Sequence, residues 1–68
     1  MELQINNQKF HFEQTEISIQ AMLDLQAPNK QKGLAVAVNS TVISKANWGN
    51  YLLKPEDDIL IITATQGG

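Results

Sequence analysis

The sequence predicts an α+β domain: a mixed sheet of four to five strands with one helix packed across one face. Three observations predict it. Near the N-terminus, apolar Leu3 and Ile5, then Phe10 and Phe12, alternate with polar residues, the period of half-buried strands. The period then lengthens, so that Ile19, Met22 and Leu23 share one face of a single short helix. Near the C-terminus, Ile59-Leu60-Ile61-Ile62 is a continuous apolar run, as expected of a central strand covered on both faces or nearly so.

Each element has its own signals. Asn6-Asn7 tolerates left-handed backbone and suits a tight turn, so the first two strands read as a hairpin. Ser18 is a good helix N-cap, and Ile17 before it can pack on Met22 as a hydrophobic staple. Ala21 stands where a capping box would have Glu or Gln. Pro28 ends the helix, and Ala27 to Gly33 reads as a polar loop. Leu34 to Val38 is the third strand, although alternation leaves open whether Leu34, Val36 and Val38 or Ala35 and Ala37 face the core. Val42 and Ile43 form a short strand after an Asn39-Ser40 turn, and Lys45 to Asn50 reads as an irregular connection. Tyr51, Leu52 and Leu53 lead to a turn at Pro55 to Asp58. A last strand buried on both sides cannot sit at the edge of a hairpin. It is therefore expected beside the first strand, as a parallel central pair.

The composition narrows the chemistry. A chain of 68 residues makes one small domain, which buries about 60% of the surface its unfolded chain exposes. Residues 1–65 read as that domain and 66–68 as a flexible tail. There is no cysteine, so no disulfide staples the fold and no thiol serves as nucleophile or zinc ligand. The lone His11 builds no His-based metal site. The net charge is -2, and the five lysines are scattered, so the basic footprint of a nucleic-acid binder is missing. No apolar stretch approaches the length of a membrane span, and the N-terminus lacks the regions of a signal peptide. A cytoplasmic protein is the expectation.

Several segments together carry a resemblance. They are Ala35-Val36-Ala37-Val38-Asn39, Val42-Ile43, Trp48, Asp57-Asp58-Ile59-Leu60-Ile61 and the terminal Gly67-Gly68. With the order strand, strand, helix, strand, short strand, strand, the chain resembles the β-grasp, ubiquitin-like superfamily. Within it, the chain is similar to the ThiS-type sulfur carriers of thiamine (thiazole) biosynthesis. The likeness covers nearly the whole chain. Two positions depart from the family pattern: Pro55-Glu56 stands where the turn before the last strand usually has Gly, and Gln66 stands where Ala or a bulky aliphatic often precedes Gly-Gly.

The resemblance implies a carrier and co-substrate of other enzymes, with no catalytic residue, bound cofactor or metal of its own. Gly68 would be the modified residue, with Gln66 and Gly67 as the flexible lead. An E1-like adenylating enzyme would consume ATP to convert the Gly68 carboxylate to an adenylate. A sulfur relay, such as a cysteine desulfurase, would yield a C-terminal thiocarboxylate, which would donate sulfur to thiazole synthase. The chemistry of the tail agrees with this. A carboxylate is a poor electrophile and needs activation, and glycine lacks the Cβ that would keep its backbone from a nucleotide in a narrow channel. A glycine pair is still a weak motif, since a frayed chain end accounts for it too.

Alternation adds one sharper expectation. If Leu3 and Ile5 face the helix, Ile59 and Ile61 on the neighbouring strand face it as well, and Leu60 and Ile62 point away. No second helix is predicted to cover them, so Leu60 and Ile62 are expected to bind a partner, the adenylating enzyme or thiazole synthase. His11 is expected on a solvated strand face, Glu56-Asp57-Asp58 as turn-capping residues, and Trp48 as a core lid. Rival readings are a molybdopterin-synthase small-subunit-type sulfur carrier, a ubiquitin-like protein modifier, and an interaction module whose Gly-Gly is incidental.

Overall fold

The computed structural model describes residues 1–28 and 33–63. The polar loop expected at 27–33 therefore lies largely outside the described residues, as does the whole of the expected tail. Strands β1 (Glu2–Ile5) and β2 (Gln8–His11) form the N-terminal hairpin, with Leu3 opposite Phe10 and Ile5 opposite Gln8. Asn6 and Asn7 both have positive φ, 51° and 67°, the backbone that a two-residue type I′ hairpin demands. Strand β3 (Ile17–Ser18) runs directly into helix α1 (Ile19–Gln26). The Ser18 side chain accepts a hydrogen bond from the Ala21 N–H at 3.0 Å, so the cap forms without a capping-box partner. At the other end, the Ala27 N–H donates to the Leu23 carbonyl at 2.7 Å, and Pro28 prevents continuation.

Strands β4 (Leu34–Val38) and β5 (Thr41–Ile43) make a second hairpin, whose turn residues Asn39 and Ser40 have φ 49° and 73°. After it, Lys45–Asn47 forms a short 3₁₀ helix inside the segment expected to be irregular. Strand β6 (Leu52–Leu53) pairs antiparallel with β3, a two-stranded sheet absent from the sequence reading. Strand β7 (Asp58–Thr63) follows. In the turn before it, the Asp57 N–H donates to the Lys54 carbonyl at 3.1 Å. Pro55 takes the second position, and Glu56 the third with φ 73°, the type II pattern with a glutamate where glycine fits best.

The main sheet has the order β2-β1-β7-β4-β5. Its central strand β7 is parallel to β1 and antiparallel to β4, the expected mixed arrangement. The ladder between β1 and β7 includes Gln4 N–H to Asp57 carbonyl at 3.0 Å and Asn6 N–H to Ile59 carbonyl at 2.9 Å. Where β1 turns away, the Asn6 side-chain oxygen accepts from the Ile61 N–H at 2.8 Å and continues the ladder.

Helix α1 buries Ile19, Met22 and Leu23 against Leu3, Ile5, Val36, Val38 and Ile59. The core face of β4 is thus the Leu34, Val36, Val38 set, because the larger side chains of an alternating strand bury more apolar area. One expectation is corrected: β7 is central but, among the described residues, covered on one face only. The single α-helix among the described residues lies on the side of Ile59.

Candidate functional site

The uncovered face of the sheet follows from the strand registers. Ile59 is fully buried, whereas Leu60 and Ile62 are 47% and 49% exposed. Leu60 lies opposite Ala37 and Ile62 opposite Ala35 on β4, and Ala37 lies opposite Val42 on β5. Residues directly opposite in a ladder share a face. Val42, Ala37 and Leu60 therefore form one row across the outer face, with Ala35 and Ile62 in the next. Val42 is 73% exposed. The sequence reading placed Leu60 and Ile62 on this face but missed Val42 as their companion. The signal was present: a two-residue turn at Asn39-Ser40 sets position 37 opposite 42, on the side away from Val36 and Val38.

The apolar patch has a polar border. Glu2 and Gln4 of β1 face the same side, opposite His11 and Lys9 of β2. The His11 Nδ1 lies 2.7 Å from a Glu2 carboxylate oxygen and its Nε2 lies 3.3 Å from that of Glu13. His11 is exposed, as expected, but with carboxylate neighbours: the hairpin register supplies Glu2, and Glu13 lies two residues along the chain. No group of His, Cys, Asp and Glu among the described residues could hold a metal ion.

The acidic cluster before β7 works as a clamp between turns. Asp57 accepts from the Lys54 backbone N–H at 2.9 Å and from the Asn39 side-chain amide at 3.1 Å. The Asn39 side-chain oxygen accepts from the Asp58 N–H at 3.0 Å. Trp48 is 1% exposed, and its indole N–H donates to the Ile43 carbonyl at 3.1 Å. It closes the core beneath β5 and presents nothing to a partner.

Strand β7 is described as far as Thr63, which pairs with Leu34. Gln66, Gly67 and Gly68 lie outside the described residues. The outer face thus leads along β7 toward the chain terminus, with Leu60 and Ile62 on the same strand.

A five-stranded mixed sheet with a parallel β1–β7 pair, grasping one helix, defines a β-grasp protein of the ubiquitin-like kind. The sequence profile of the ThiS family matches residues 3–68, and the chain belongs to that family. The crystal structure of the thiamine biosynthesis protein (ThiS) from Geobacter metallireducens is similar with a TM-score of 0.89 and 16% identity, over 100% of both chains. An NMR solution structure of a thiamine biosynthesis protein from Geobacter metallireducens gives a TM-score of 0.79 and 16% identity, over 100% of this chain and 88% of that one. At this identity the two structures establish the fold. Comparison with curated proteins finds no match.

Proposed function

We propose that the protein carries sulfur as a thiocarboxylate on Gly68 and delivers it for thiazole formation in thiamine biosynthesis. The observation that carries this reading is the family match, which runs through residue 68 and so includes Gly67 and Gly68. The Gly68 carboxylate attacks the α-phosphorus of ATP on an adenylating enzyme, releasing pyrophosphate and forming an acyl-adenylate. The terminal sulfur of a persulfide, of the kind a cysteine desulfurase generates, displaces AMP. A thiol then takes up the second sulfur of the acyl persulfide as a disulfide and frees the thiocarboxylate. The protein contributes no catalytic group. It is the co-substrate, in the cytoplasm, and thiazole synthase is the acceptor.

In this reading the outer sheet face is the docking surface. Leu60 and Ile62, with Val42 beside them, form an apolar patch with a polar border at the root of the reactive strand. Such patches are a recurrent mark of partner surfaces. Docking there would feed residues 64–68 toward the nucleotide, and paired glycines would let that segment pass close to it.

The test is incubation with an adenylating enzyme, ATP and a persulfide donor, followed by intact-mass spectrometry. The expected result is replacement of one terminal oxygen by sulfur, lost on deletion of Gly68. Conjugates on lysine would replace this reading with that of a protein modifier, and an unchanged mass would leave an interaction module. Sulfur transfer to a pterin precursor rather than to thiazole synthase would indicate the molybdopterin route.

A further inference from the structure

On the helix side of the molecule, away from the outer sheet face, α1 and the small β3–β6 sheet enclose an open groove of about 490 Å³. Its apolar walls include two exposed leucines, Leu25 at 57% and Leu52 at 49%. Both are unexpected on local grounds. Leu25 sits off the buried face of α1, which is Ile19, Met22 and Leu23, and Leu52 points away from the core that its neighbour Leu53 enters. Among the described residues, the charged groups lining the groove are the carboxylates of Glu16 and Asp24. Ile17 and Ala21 form part of its floor.

From this combination we propose that the groove is a second docking surface, for a short segment of a partner protein that sets an aliphatic side chain beside Lys or Arg. The aliphatic group would lie between Leu25 and Leu52, where apolar area leaves water on both sides. The cationic group would reach Glu16, at the rim, where complementary charge favours this class of segment and disfavours acidic ones. Because the groove opens on the helix side, its occupant leaves Leu60 and Ile62 uncovered. The protein could then be held by one partner while a second engages the sheet.

An NMR titration of the isotope-labelled full chain tests this without any activating enzyme, so its outcome is separate from that of the sulfur-carrier reading. The probe is an acetylated, amidated amphipathic peptide of leucine and lysine, and the control is its leucine–glutamate counterpart. The amide signals of Ile17, Ser18, Ala21, Leu25 and Leu52 are expected to shift with the lysine peptide and not with the glutamate one. Affinity is expected to fall about fivefold or more in Leu52→Ser and in Glu16→Lys, the size of effect an interface anchor shows. Leu60→Ser is expected to leave it unchanged. All three positions are exposed, and an undisturbed spectrum of the free variants verifies their fold. Absence of shifts, shifts centred on the sheet face, or equal binding by Leu52→Ser and Glu16→Lys would overturn the proposal.

Discussion

Asn39 shows why a short run of the sequence resembles its family. Its backbone adopts φ 49° at a hairpin turn, and its amide spans Asp57 and the Asp58 N–H. Asparagine suits both tasks, since it tolerates left-handed backbone and carries a donor and an acceptor on a short stem. Ser40 next to it, at φ 73°, has only the strain. A type I′ turn favours Asn-Gly, and left-handed backbone costs an ordinary residue roughly 1–2 kcal/mol, part of which glycine returns as unfolded-state entropy. Ser40→Gly is therefore expected to stabilise by about 0.5 kcal/mol, raising Tm by about 2–4 °C in thermal unfolding followed by circular dichroism. Residues such as Asn39, Asp57 and Trp48 hold turns and core together. The segments that carry the resemblance are largely scaffold, and the reactive chemistry proposed for Gly68 rests on the final glycines.

Among elements, α1 and β7 were legible for different reasons. The helix has its start marked by Ser18 and its stop by Pro28, and the structure ends it at Gln26. Eight residues form too short a helix to be stable alone, so its cap and its buried face must hold it. Ser18→Ala removes the hydrogen bond to Ala21 and is expected to cost about 1 kcal/mol, measured as a shift of the urea midpoint at constant slope. In β7 the apolar run concealed the alternation, and the faces followed only once Leu3 and Ile5 were paired with it. Strands β3 and β6 were not legible at all. Two residues show no period, and the pairing of Ile17 with Leu53 is set by how the chain folds over the helix.

For the whole molecule, total stability is expected at about 3–10 kcal/mol, by the usual stability per residue. Trp48 is among the largest fully buried side chains, so Trp48→Ala is expected to cost about 3–5 kcal/mol, a large part of that total, and to lower the temperature at which the core unfolds. Loss of near-UV dichroism would show it. Leu60→Asp acts differently, because its side chain already meets water. Its Tm is expected within about 4 °C of the unsubstituted protein, as for other exposed sites. Its adenylation kcat/KM is expected to fall about tenfold or more, since docking would have to bury a carboxylate without a partner. Full thiocarboxylate formation and sulfur delivery by a folded Leu60→Asp protein would remove the sheet face from the proposed route.

The amino-acid order alone determined the local events: which segments alternate, where the helix starts and stops, and where the chain turns. These depend on residues within a few positions of one another. It also determined the pairing of the first and last strands, through the apolar character of Ile59 to Ile62. Only the tertiary structure decided that Val42 joins Leu60 across Ala37, and that Leu25 and Leu52 line one groove with Glu16. Each of those brings together residues far apart in the chain, which no local period encodes.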